Sequence, residues 1–328
     1  MNSLEKIFNY TTTSKILLFF FQSIGLLTVK FDVKSKSWKL TSSKKSLILM
    51  LSVTSILHFV WNIDSLVRLY LATYKNGRIF DVEISLISAV VLSVICLMIK
   101  IIIVFRLQTA TEIANKFIRI QYFLNRFHDD STEQIYKKSA SRSMKLFSIS
   151  FLFWISAVIV LCILNYDFFL LKRLPLVMNF IILHSTVLQY SFLLLLIKEK
   201  YKTLNDYLIK MRNFFALFTI RIATSHREIA VDDLQNLCKL HAELSELMQQ
   251  VSEYFSLPIF FCICQLFSTL IIFSYLAIRP LMDLDDKIQL NYLIYFIRIV
   301  ETIYLLLILC ISATSVVEEV NFNIILFE

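Results

Sequence analysis

The sequence predicts an all-α fold: a polytopic membrane helix bundle with six spans, an inside N-terminus and long cytoplasmic helical extensions. Three observations predict it. Hydrophobic residues make up 57% of the 328 and charged residues only 18%, where a soluble chain carries roughly half and about a quarter. The apolar excess is also gathered into blocks. Gly 2 and Pro 3 leave little to form tight turns or punctuate strands, which favours long uninterrupted helices. Finally, Lys and Arg are dense in alternate loops. There is no internal repeat and no low-complexity linker.

Residues 1–45 form a cytoplasmic N-terminal segment. Its apolar block Ile16–Val29, "ILLFFFQSIGLLTV", is shorter than the about 20 residues a spanning helix needs. Lys6 and Lys15 precede it as in a signal peptide, but no small-residue cleavage site follows. It is read as an interfacial or re-entrant helix. Six blocks do reach spanning length: Leu47–Val67, Ile84–Phe105, Leu146–Leu164, Leu174–Ile197, Phe255–Ile278 and Leu290–Val316. Spans 1 to 4 with their loops occupy 46–197, and spans 5 and 6 occupy 255–316. Between them, 198–254 forms a cytoplasmic helical hairpin, and 317–328 is a short cytoplasmic tail.

The orientation follows from basic residues. The N-terminal segment holds 8 Lys and Arg, and the successive loops hold 3, 8, 2, 8 and 2. Cytoplasmic loops carry the excess, so both ends face the cytoplasm. The +8 net charge then reflects topology and contact with anionic lipid of the bilayer; nucleic acid need not be invoked. Cys96, Cys162, Cys262, Cys264 and Cys310 fall in spans and Cys238 in a cytoplasmic loop, which implies no disulfide framework. Cys262 and Cys264 point to different faces of one helix, so no metal site is expected. The sequon Asn9-Tyr10-Thr11 is silent on a cytoplasmic N-terminus.

The hairpin follows from two heptad seams. Tyr201, Leu204, Leu208, Met211, Phe215, Phe218 and Ile222 recur at alternating spacings of 3 and 4. A polar break, "ATSHREIAVDD", follows, in which Asp232 or Asp233 can cap a second helix. There Leu237, Leu240, Leu244, Leu247, Val251 and Tyr254 repeat the spacing and lead into span 5. The seams either pack against each other within one subunit or also meet neighbouring subunits as an assembly surface, with Leu237, Leu240, Leu244, Leu247 and Val251 as its residues. Pro258 is positioned to kink the helix near the membrane surface. A shorter extension is expected from Arg106 to Lys145, broken at "FHDDS".

Polar groups inside spans need a reason, since a central charge costs about 2.5–3.5 kcal/mol on insertion scales. Lys100 can snorkel to the cytoplasmic headgroups. Arg298 and Glu301 lie three apart on one helical face and can neutralise each other, as a structural ion pair or as ligand contacts. His58, Trp61, Asn62 and Asp64 of span 1 fall in the outer half of the membrane. So do Asn179 and His184 of span 4, Tyr275 of span 5, and Asn291, Tyr292 and Tyr295 of span 6. Aromatic walls with a few oriented polar groups describe a small-molecule pocket, against which stands an interfacial aromatic belt for Trp61, Tyr275 and Tyr292. The ligand-binding candidates are therefore His58, Trp61, Asn62, Asn179, His184, Tyr275, Tyr295, Arg298 and Glu301. No His or acid cluster, Gly-rich phosphate loop or nucleophile with a base in register supports catalysis, and no cofactor is implied. Scarce Gly and Pro also argue against a transporter built on broken helices.

The sequence resembles the insect gustatory receptor family. "FFQSIGLLTVKFDVKSKSWKL" is similar to the family's opening, with Gly25 central in its apolar stretch. "HAELSELMQQVSEYFSLPIFFCICQLFSTLIIFSYLA" resembles its long helix into the fifth span, and "LLILCISATSVVEEV" its sixth-span exit. The inside N-terminus, inverted relative to G-protein-coupled receptors, agrees. The resemblance covers most of the chain. It implies a plasma-membrane, tetrameric ligand-gated cation channel for small-molecule tastants, assembled from like or related subunits. One departure is expected to matter. Family members have a seventh, pore-lining span ending in a Thr-Tyr, a hydrophobic run and Gln-Phe, whereas this sequence stops at "VNFNIILFE". No pore residue is carried over, and the chain is read as incomplete in that element. The alternatives are a G-protein-coupled receptor and a non-sensing scaffold or auxiliary subunit.

Overall fold

A computed structural model describes residues 29–32, 37–40, 79–126, 170–218, 224–282 and 289–327, with scattered positions at 48–71 and 145–152. Five long helices dominate these residues: α1 (Ile79–Phe105), α2 (Leu107–Arg126), α3 (Leu170–Phe218), α4 (Thr224–Met282) and α5 (Gln289–Phe327). The 49 residues of α3, 59 of α4 and 39 of α5 give lengths of about 74, 88 and 58 Å at 1.5 Å per residue. A hydrocarbon layer is about 30 Å thick. Each of these helices therefore runs well past the membrane.

Among the described residues, four stretches are long and apolar enough to cross it: Ile87–Phe105, Met178–Asn213, Leu234–Ile278 and Tyr295–Asn321. They contain the cores of the expected spans 2, 4, 5 and 6. Spans 1 and 3 lie largely outside the described residues, although every described position between 48 and 71 is helical. Both faces of the spanning segments are apolar. The inner face packs Leu92 and Ile99 of α1 with Leu183 and Ile197 of α3, Cys262 and Leu266 of α4, and Leu305 of α5. The outer face presents Val94, Met98, Phe260, Phe267, Ile271 and Leu307. A helix apolar all round suits lipid on one side and protein on the other.

Helices α3 and α4 share the middle of the described bundle, packed on each other and each on α5, α1 and α2. The heptad seams continue the same core beyond the membrane. Tyr201 and Leu204 of α3 meet Leu237, Leu240, Leu244, Leu247 and Val251 of α4 in one buried cluster. Leu247 and Val251 are 0% exposed. These side chains are enclosed within a single chain. Packing of the two seams against each other within one subunit is thus present, with Leu237, Leu240, Leu244, Leu247 and Val251 on its α4 side.

Three expectations need correction. The fold is not purely α. Val29–Asp32 (β1) and Ser37–Leu40 (β2) form a two-stranded antiparallel sheet in the register Val29↔Leu40, Lys30↔Lys39, Phe31↔Trp38 and Asp32↔Ser37. The sequence there alternates apolar and polar residues with Val, Phe and Trp prominent, a strand pattern. Strand β2 lies beside α2, so the hairpin sits at the end of the molecule where the helices extend. The rest of the expected interfacial helix, 16–28, lies outside the described residues. Second, α4 starts at Thr224, not at a cap on Asp232 or Asp233. Nothing in 224–233 breaks a helix, and Asp232 is exposed, so its polarity marks a solvated position. Third, the tail is not a separate element, because α5 stays helical to Phe327. Asn205 Nδ2 of α3 donates to Glu319 O and Glu319 Oε2 of α5 at 3.1 and 3.2 Å. Pro258 lies inside α4, which continues through it.

Candidate functional site

The polar residues that the sequence scatters over four spans collect at the end of the bundle away from the heptad seams. They form two clusters on two faces of α3. Asn179 and His184 are five residues apart, hence about 140° around the helix. The first faces α1 and the chain around Asn62; the second faces α5.

Asn179 anchors the first cluster and is completely buried. Its Nδ2 donates to Asn62 Oδ1 at 2.8 Å and to Ser93 Oγ at 2.9 Å. Cys96 Sγ donates to the Asn179 carbonyl at 3.2 Å. Ser93 Oγ in turn donates to Ala89 O at 2.8 Å, the i−4 bond available to a hydroxyl in a helix. Asn179 therefore ties three segments together. Its Oδ1 is buried without a hydrogen-bond partner, an acceptor that is expensive to leave unmet.

Glu301 anchors the second cluster. Its Oε2 accepts from Arg298 Nη1 at 2.8 Å, one helical turn away. On the other oxygen, His184 Nδ1 stands 3.2 Å from Oε1, without the alignment of a hydrogen bond to it. The Arg298 guanidinium carbon lies 4.2 Å from the centroid of the Phe180 ring, a cation–π distance. Phe180 and His184 are themselves neighbours, with ring centroids 6.2 Å apart. Arg298 and Glu301 are both buried. Charges here would be prohibitive alone and become tolerable as a hydrogen-bonded pair backed by an aromatic face. Nearby on α4, Cys262 Sγ points to Leu183 O at 3.9 Å. Gln265 Nε2 donates to Thr269 Oγ1 at 3.3 Å while Gln265 Oε1 finds no hydrogen-bond partner.

Of the nine candidates, the structure joins Asn62 to Asn179, and His184 to Arg298 and Glu301. Trp61 and Tyr275 are 38% and 42% exposed, on the outward side, which matches a lipid-facing aromatic better than a pocket wall. Tyr295 is half-buried with its ring 5.8 Å from Phe273. His58 lies outside the described residues. Ser93 and Phe180 were not legible as members of the site, and Cys96 was legible only as a reduced thiol. A Ser inside a span is usually satisfied by its own helix, and a Phe among 29 others carries no signal of the cation it will meet.

Such an arrangement offers hydrogen-bond acceptors and a buried charge pair inside an apolar bundle. Acceptors and a paired cation sit within an apolar, aromatic bundle, which is how small-molecule sites fix a ligand's orientation. Among the described residues, no group of three His, Cys, Asp or Glu is gathered to hold a metal ion. Asn179→Leu removes both donated bonds, so it should destabilise the bundle by about 1–3 kcal/mol. Tyr275→Leu, at an outward position, should stay within about 0.5 kcal/mol. Thermal unfolding of the two purified variants in one detergent compares them; equal losses would mean that the Asn179 bonds contribute nothing.

The family described as 7tm chemosensory receptor matches the chain over residues 14–322. No curated protein matches it in sequence.

Proposed function

The chain belongs to the 7tm chemosensory receptor family, and we propose that it acts as a gustatory-type chemoreceptor subunit. In this reading it is a plasma-membrane protein with a cytoplasmic N-terminus and at least six spans. A small-molecule tastant binds in the outer half of the bundle, and four like or related subunits together gate a cation current. The observation that carries the reading is the buried set His184, Arg298 and Glu301 between α3 and α5. Intramembrane ionisable groups mark functional sites by default. Helices α3 and α5 are also joined at their far ends by Asn205 and Glu319. A ligand that competes for His184 or Arg298 would bind one α3–α5 arrangement better than another and shift the population between them. The long helices would carry that shift to the cytoplasmic half.

The β-hairpin beside α2 supports an N-terminus on the side of the extensions, the side that the basic residues mark as cytoplasmic. Because the seams close within the chain, contacts between subunits would use the outward faces of the helices. The test is electrical. Cells expressing the full chain with a related subunit should give a tastant-evoked cation current, insensitive to block of G-protein turnover. An N-terminal tag should be reached only after permeabilisation. A tag accessible on intact cells, or a response lost with G-protein block, would favour the G-protein-coupled alternative.

A further inference from the structure

Two of the helical paths from the membrane into the extensions, α1 with α2 and α4, each carry a local irregularity at one level, and a single side chain joins the two. Helix α1 ends at Phe105 and α2 starts at Leu107. Arg106 between them is a one-residue turn whose amide is shared by Ile102 O at 3.0 Å and Ile103 O at 3.2 Å, while its carbonyl still accepts from Ala110 N at 3.2 Å, so the backbone ladder is tightened there and not cut. In α4 the irregularity is chemical. Pro258 has no N–H, so the carbonyl four residues earlier, that of Tyr254, loses its helical donor, and the proline ring crowds it. Tyr254 and Pro258 are both buried. A freed carbonyl at such a depth has to be met by a neighbour.

Arg106 meets it. Its Nη1 donates to Tyr254 O at 2.8 Å and also to Glu253 O. Glu253 O additionally accepts from Ser256 Oγ at 2.9 Å. Ten residues further along α2, Lys116 Nζ pairs with Glu246 Oε2 at 2.5 Å. The antiparallel order of the two contacts fixes α2 along the cytoplasmic part of α4, with Arg106 at its membrane end.

We propose that Arg106 and the proline-freed carbonyl of Tyr254 form a joint between the membrane and cytoplasmic halves of the subunit. Arg106 is a positioning residue in it. Guanidinium suits the place because it stays charged and one nitrogen can serve two carbonyls. The segments of α1 and α4 inside the membrane can tilt about this level while α2 and the seam stay docked. The joint does not depend on what, if anything, the outer clusters bind.

A double-mutant cycle on the full chain in detergent tests it. Arg106→Gln should speed backbone amide exchange in α4 around 251–262 by roughly tenfold, the scale of one charge-assisted hydrogen bond. In a Pro258→Ala background the new amide at 258 supplies Tyr254 O with its helical donor, and the same Arg106 substitution should change exchange less than about threefold. Lys116→Gln is the control and should act equally in both backgrounds. If Arg106→Gln alone does not accumulate, rescue of its yield by Pro258→Ala reads the same coupling. Equal acceleration in both backgrounds, no acceleration beside the native proline, or a failure of Pro258→Ala to rescue would each overturn the joint.

Discussion

Glu301→Gln should destabilise the bundle by about 3–5 kcal/mol, and adding Arg298→Gln should recover most of that loss. The carboxylate is the centre of its cluster, with Arg298 Nη1 at 2.8 Å on one oxygen and His184 Nδ1 at 3.2 Å from the other. Neutralising it leaves the guanidinium buried with a fixed charge, met by a neutral amide oxygen and the Phe180 face 4.2 Å away instead of by a carboxylate. A cation–π contact supplies about 2 kcal/mol when desolvated, less than the about 3–5 kcal/mol that a stranded cation costs. The double variant removes both charges and leaves two amides on the same face, one turn apart and able to bond each other. Surface expression and thermal unfolding should rank wild type first, the double variant second and the single variant last. A double variant no better than the single one would show that the two residues are not an energetic pair.

Much of this site was legible because membranes make polarity conspicuous. Asn179, His184, Arg298 and Glu301 stand out in runs of Leu, Ile and Phe, and a 3-residue spacing places the last two on one turn. What could not be read was who meets whom. His184 and Glu301 are 117 residues apart, and nothing in either helix specifies that α3 and α5 become neighbours. The exposed positions of Trp61 and Tyr275 follow from the same gap. Each side chain suits a pocket or a lipid interface equally, and only the rotation of its helix in the bundle decides between them.

Local structure shows the opposite pattern of success. The seams of α3 and α4 were written in the 3–4 spacing and close as that spacing requires. The strand pair at 29–40 was also written, as alternation in "VKFDVKSKSWKL". It is easily passed over as a lysine-rich run, because its period of two covers only four residues on each side. The start of α4 went wrong for a physical reason. An acidic residue is a good helix cap, yet Asp232 and Asp233 had no need to cap where Thr224 already began the helix. Polarity signals exposure at least as often as it signals a boundary. Arg106 shows the limit most clearly. In the sequence it is one of 33 basic residues. Its task appears only once Pro258, 152 positions away, is seen to leave a carbonyl within its reach.

Leu240→Asp combined with Leu247→Asp should abolish the folded helical hairpin of α3 and α4, and the loss should be seen in isolated subunits, before any assembly. Both leucines are buried in the seam between α3 and α4. Each substitution forfeits about 1.5–3 kcal/mol of apolar burial and puts a carboxylate into an apolar seam. Two such changes rival the whole stability of a typical domain, about 5–15 kcal/mol. The same leucines would weaken assembly if they faced a second subunit, so loss of oligomer alone cannot separate the two arrangements. Protease sensitivity can. Limited proteolysis of the detergent-solubilised variant at a concentration favouring single subunits should open cleavage sites throughout 198–254 and spare the segments within the membrane. Leu234→Asp, on the exposed side of the same helix, should leave that region resistant. A double-aspartate chain that remains resistant as a single subunit, while failing only to form its oligomer, would move the seam from the interior of the subunit to its interface.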